Sequence, residues 1–150
     1  MRMQLSRRGT LLGALALGTA GAWPLAATAR SAAFDERLRE VTGGVEPATG
    51  RVRLDLPDVA ENGEAVPLSV AVDSPMTEAD HVSEVVILAE ANPRPTVAQF
   101  TFTPLSGRAE VITRIRLGES QRVTAVARMS DGSVHIAQRS VAVTVGGCAG

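Results

Sequence analysis

Lysine is absent from this 150-residue chain, cysteine occurs once, and no apolar run reaches the roughly 20 residues that a membrane-spanning helix needs. One cysteine excludes an internal disulfide. The arginines are scattered and form no basic block, which argues against nucleic acid as a partner. No glycine loop able to cradle phosphate and no dinucleotide fingerprint is found. His81 and His135 are the only histidines, and they do not stand at metal-ligand spacing with each other or with Cys148. His135 is opposite in parity to Val134 and Ile136, so it is expected to face solvent, and His81 falls in a turn region. Asp55 and Asp58 read as edge and turn residues. The sequence therefore assigns no catalytic residue and no metal ligand.

The N-terminus offers a positive stretch, Ser6-Arg7-Arg8, running into Leu11-Leu12 and a short Gly/Ala-rich apolar segment that closes on Ala27-Thr28-Ala29. This pattern predicts a twin-arginine type signal peptide over residues 1–29, with Arg7 and Arg8 as the export signal, cleavage before Arg30 and no membrane segment afterwards. Removing it leaves twelve arginines against sixteen acids, a formal balance of −4. Residues 30–145 are of ordinary size for one domain, and 146–150 form a tail.

Phe34, Leu38 and Val41 at helical spacing predict one amphipathic helix over 31–42, stopped by Gly43-Gly44. From Arg51 onward the period becomes two. Alternating segments appear at 52–56, 66–72, 111–117 and 123–129, with Phe100 and Phe102 sharing a face. Residues 82–89 form a continuous apolar strand suited to a position covered on both faces, and Asn92-Pro93-Arg94-Pro95 is a rigid turn. Ser130-Asp131-Gly132-Ser133 signals a hairpin. In the last segment the apolar parity changes from Val134 and Ile136 to Val141, Val143 and Val145, which predicts a bulge between Ala137 and Ser140. Seven short strands with little helix predict an all-β fold: an immunoglobulin-like antiparallel sandwich with a short N-terminal helix and a flexible C-terminal arm.

The chemistry concentrates in Val145-Gly146-Gly147-Cys148-Ala149-Gly150. The only thiol stands two residues from the end, flanked by small residues, and Gly146, Gly147, Ala149 and Gly150 are expected to give the arm flexibility. An exposed thiol in an oxidising compartment is a liability unless it is used. The nearest cation in sequence is Arg139, far back along an extended strand, so nothing local activates the sulfur and a partner's groups must.

The twin-arginine signal, the short helix, Pro75-Met76-Thr77, Asn92-Pro93-Arg94-Pro95 and the terminal Gly146-Gly147-Cys148 together resemble the SoxY family, the sulfur-covalent carrier subunit of the thiosulfate-oxidising Sox system. That family reads Gly-Gly-Cys-Gly-Gly at its end, and here Ala149 replaces the first glycine after the cysteine. The resemblance implies a periplasmic carrier rather than an enzyme, with no cofactor of its own beyond a covalent sulfur adduct on Cys148. It also implies a heterodimer with a SoxZ-like β-sandwich subunit. Transient partners would be a c-type haem protein, a dimanganese hydrolase and a molybdenum enzyme. An alternative is an exported β-sandwich binding or assembly module whose Cys148 forms an intermolecular disulfide.

Overall fold

The computed structural model describes residues 31–148. The expected signal segment with Arg7 and Arg8, and also Ala149 and Gly150, lies outside them. No helix among the described residues is long and apolar enough to cross a membrane.

Helix α1 runs Ala32–Thr42, as its spacing predicts. Ser31 caps it, its hydroxyl accepting the Phe34 N–H at 3.1 Å. At the other end Gly43 adopts φ 62°, and the N–H groups of Gly43 and Gly44 donate to the carbonyls of Glu40 and Arg39. A left-handed φ at that position is one that glycine takes without the Cβ clash, so the helix stops there.

Eight strands follow in two sheets. The smaller sheet has the order β1 (Val52–Asp55), β3 (Val66–Val72), β6 (Ala109–Ile115), all antiparallel. The larger has the order β2 (Val59–Asn62), β8 (Val134–Val145), β7 (Gln121–Met129), β4 (Val82–Ala89), β5 (Thr96–Thr101). The all-β sandwich fold expected from the alternation is therefore the one found. One strand escaped the pattern: β2 lies between the alternating runs 52–56 and 66–72, and it pairs with the end of β8 in parallel, Val59 opposite Ala142 and Asn62 opposite Val145. Its burial is one residue in four, Ala60, so period two has nothing to register there.

Two apolar clusters hold the layers together. The principal one lies between the sheets and takes Val66, Leu68 and Val70 of β3, Val85, Ile87 and Ala89 of β4, and Val123, Ala125 and Ala127 of β7. The second lies between the larger sheet and α1: Phe34 and Val41 pack on Val86, Leu88, Val126 and Val134, with Leu38 and Ile136 at its margin. The continuous apolar run of β4 is thus covered on both faces, as expected. Polar ties reinforce the helix: Arg37 Nε donates to Thr96 Oγ1 at 2.9 Å, and Arg128 donates to the Val41 carbonyl.

This second layer explains the parity change on β8. No bulge exists between Ala137 and Ser140, because pairing with β7 runs without a shift from Arg128 opposite Val134 to Gln121 opposite Val141. Instead the covering changes. Val134 and Ile136 are apolar because α1 lies over their face, whereas Ala137, Val141 and Val143 face the other sheet. The same shift of cover corrects His135. It points between the sheets, half-buried, with Nδ1 buried and unpartnered, because the even positions beside it serve the helix layer rather than the main core.

If α1 is part of the domain core, Phe34→Ala should cost about 3–5 kcal/mol, the usual penalty for emptying a fully buried aromatic position. Ile112→Ala, on a side chain 80% exposed, should change stability by less than about 0.5 kcal/mol. Urea unfolding of the two variants measures the difference, and equal midpoints would mean that the helix is a detachable appendage.

Candidate functional site

Where β8 ends, three stretches of backbone meet. Pairing with β8 carries β2 to Asn62, whose side-chain oxygen accepts the Glu64 N–H at 2.9 Å and starts a 3-10 turn over Gly63–Ala65. The Gly63 carbonyl accepts from Leu117 N at 2.8 Å, and the Leu117 carbonyl accepts from Gly147 N at 2.9 Å. Leu117 is fully buried, so this row of bonds is anchored in the main core.

Glycine is what lets the three segments approach. A Cβ on Gly147 would stand 2.6 Å from the Gly63 carbonyl carbon and oxygen, one on Gly146 would stand 2.0 Å from the Gly118 carbonyl oxygen, and one on Gly63 would stand 2.1 Å from the Leu117 carbonyl oxygen. No real side chain fits at those distances. Neither Gly146 nor Gly147 has a positive φ. In the structure Gly146 and Gly147 lie pressed on the domain, so their lack of a side chain serves close contact there, alongside the flexibility expected of the arm.

Docking brings Cys148 beside Glu64, an acid that sequence alone does not single out. The Cys148 N–H donates to Glu64 Oε1 at 2.6 Å, and Arg116 Nε stands 3.6 Å from Glu64 Oε2. The Glu64 carboxyl is held below the usual carboxylate range, first by the Cys148 backbone N–H, then by the Cys148 thiol and Arg116, with burial opposing them. Cys148 is exposed and free. It also lines one end of an open groove of 480 Å³ between the β5 and β6 edges, with Arg94, Arg114 and Arg116 around it. Cations therefore do reach the neighbourhood of the thiol, through the fold. Arg139, the nearest in sequence, is engaged with Asp58 at 3.6 Å.

A buried polar pair holds this corner rigid. Asn92 Nδ2 donates to the Arg116 carbonyl at 2.9 Å, while Asn92 Oδ1 accepts from Gly118 N at 3.1 Å and from Gln121 Nε2 at 2.8 Å. Gln121 Oε1 accepts the Ala91 N–H in turn. The turn between β4 and β5 is thereby bonded to the connection between β6 and β7, and Gly118 is set where Gly146 meets it. The prolines flanking Asn92-Pro93-Arg94-Pro95 signalled a turn, but nothing local in that sequence shows where its amide reaches. His81 is structural, its Nδ1 bonded to the Thr77 carbonyl at 2.9 Å. Among the described residues no group of three or more His, Cys, Asp and Glu gathers as a metal would require.

Comparison with known proteins fits this arrangement. The family described as sulfur oxidation protein SoxY matches residues 38–148. Among solved structures, the sulfur carrier protein SoxY from Chlorobium limicola f thiosulfatophilum superposes with a TM-score of 0.62 at 28% identity, covering 74% of this chain and 96% of that one. A superoxide reductase (neelaredoxin) from Ignicoccus hospitalis superposes with a TM-score of 0.55 at 15% identity, over 63% of this chain and 80% of that one. That second likeness is one of fold alone. No curated protein sequence matches the chain.

The Glu64 contact gives a pH signature. A carboxyl whose pKa is depressed by docking favours the docked tail above its ordinary pKa of about 4.3 and loses that contribution as pH falls through the docked value. The Cys148 amide proton should therefore shift with a midpoint below the usual carboxylate range in an NMR titration, and Glu64→Gln should abolish the transition. A midpoint at the ordinary carboxylate value would mean that the contact does not form.

Proposed function

The chain belongs to the SoxY family of sulfur oxidation proteins, and on that premise we propose that it is a periplasmic carrier that holds thiosulfate-derived sulfur covalently on Cys148. The observation that carries this reading is the coincidence of the family match, which ends on residue 148, with an exposed, free and unique thiol at that position. The Arg7-Arg8 signal supports export by the twin-arginine route.

The chemistry proposed uses Cys148 as a handle. Its thiol loses a proton, the outer sulfur of thiosulfate bonds to Sγ, and two electrons pass to a c-type haem protein. Water then adds to the terminal sulfone sulfur in a dimanganese hydrolase, sulfate leaves, and a persulfide remains on Cys148. A molybdenum enzyme, where present, oxidises that sulfane sulfur. This chain supplies the sulfur atom and its placement, and the partner enzymes supply the redox and hydrolytic groups.

A SoxZ-like β-sandwich subunit is the proposed permanent partner. The small sheet ends in the open edges of β1 and β6, and Ile112 of β6 and Leu105 in the adjoining turn are 80% and 98% exposed. Unpaired edges with exposed apolar side chains are surfaces that a second sheet protein can cover.

Intact-mass analysis after incubation with thiosulfate and the haem-containing partner tests the proposal. The natural chain should gain one thiosulfate unit, mapped to Cys148, while Cys148→Ser should gain none and melt within a few degrees of the parent, since about 1 kcal/mol would already shift a domain of this size by several degrees. A single stable disulfide dimer with no sulfur adduct would support the assembly-module alternative instead.

A further inference from the structure

The groove beside Cys148 gathers three arginines with one carboxylate contact among them. Six other arginines each stand against a carboxylate, among them Arg51 with Asp80 at 3.4 Å and Arg122 with Glu90 at 3.6 Å. Arg94 and Arg114, which line the groove, have no carboxylate partner among the described residues, and Arg116 shares only Glu64. In a chain with more acids than bases outside its leader, three guanidiniums around one cavity, against one carboxylate, make a local positive site.

Its walls are fixed in place. Arg94 sits between Pro93 and Pro95, which restrict the backbone on both sides. The Arg116 carbonyl is bonded to buried Asn92, and Arg114 is held in register opposite Pro67 of β3. Guanidinium groups present paired N–H donors that match the oxygens of a tetrahedral oxyanion, and three arginines line the groove that Cys148 also lines. Glu64, on the domain side of the same residue, repels an anionic group and leaves the groove as the favourable direction.

Resting on the carrier reading, we propose that Arg94, Arg114 and Arg116 form a cradle for the negatively charged oxygens of a sulfur oxyanion carried on Cys148. The class of ligand is a sulfonate or thiosulfonate terminus attached through sulfur. The cradle holds the anionic end of the cargo against the domain while the covalent bond to Sγ carries the attachment. A neutral or purely sulfane adduct gains nothing from it, so the site distinguishes loaded states by charge.

Two alkylating reagents of nearly equal size separate charge recognition from access: iodoacetate, which is anionic, and iodoacetamide, which is neutral. The ratio of their rates at Cys148 in the full chain should exceed the ratio in a peptide of residues 145–150 by about fivefold, the rate factor equivalent to about 1 kcal/mol and the upper range for exposed charge pairs. The excess should disappear in Arg94→Gln/Arg114→Gln and shrink in about 1 M salt, where the Debye length is about 3 Å. Arg114→Lys should retain part of it, and Arg108→Gln, at the opposite end of β6, should leave it unchanged. A ratio equal to or below the peptide's, or one indifferent to the double substitution, overturns the cradle. Thiosulfate loading measured by mass on the same preparations keeps the two ideas apart. Loading on Cys148 with no excess ratio removes the cradle alone, whereas an excess ratio without loading leaves an anion site and removes the carrier reading.

Discussion

The tail of this protein is placed by a contact that only bare backbone can make. Gly63, Gly146 and Gly147 lie so near carbonyl groups of neighbouring segments that a single Cβ on any of them would collide. Everything distinctive about the site follows from that closeness. It seats Gly147 on the Leu117 carbonyl, puts the Cys148 N–H on Glu64, and leaves the thiol at the mouth of the arginine groove. A glycine pair is also what a tail needs to leave and be threaded elsewhere, because the same missing side chain that permits contact permits wide backbone freedom once contact is broken. The sequence feature that permits docking would thus permit release as well.

The crossing is only as firm as the fold beneath it. Parallel pairing of β2 with the end of β8 delivers Gly63, and buried Leu117 fixes the middle strand of contact. The Asn92 and Gln121 side chains set Gly118. On the far face of the larger sheet, α1 buries Phe34 and Val41, so β4, β7 and the first half of β8 are covered on both sides. A rigid platform supports a short, weakly held tail. The tail itself is held by a backbone hydrogen bond, a side-chain acceptor at the surface and close van der Waals contact, all of which can be exchanged for water or for a partner at small cost.

Much of the scaffold was legible because its signals are local. Phe34, Leu38 and Val41 with Gly43 bound α1 almost to the residue, and the alternation at 66–72 and 123–129 marks β3 and β7. Cys148 stood out through uniqueness and position. The remainder lay in relations between distant residues. Positions 63, 118 and 147 carry no shared pattern, and a glycine needed for contact looks the same in sequence as one needed for motion. Glu64 and Arg116 are ordinary surface charges until the fold sets them beside the tail. The parity change on β8 could be written equally as a bulge or as a change of covering layer. Deciding between them requires knowing that α1 packs over Val134 and Ile136.

The central claim is that the Cys148 thiol rests on its own domain in the docked tail. Amide hydrogen exchange at Gly147 and Cys148 in the full chain, read residue by residue beside a peptide of residues 145–150, measures this directly. The Gly147 N–H, bonded to the Leu117 carbonyl, should exchange at least about tenfold more slowly than in the peptide, and the Cys148 N–H should be slowed to a lesser degree. Exchange of both amides at the peptide's rate would show a tail that does not dock, and would contradict the account.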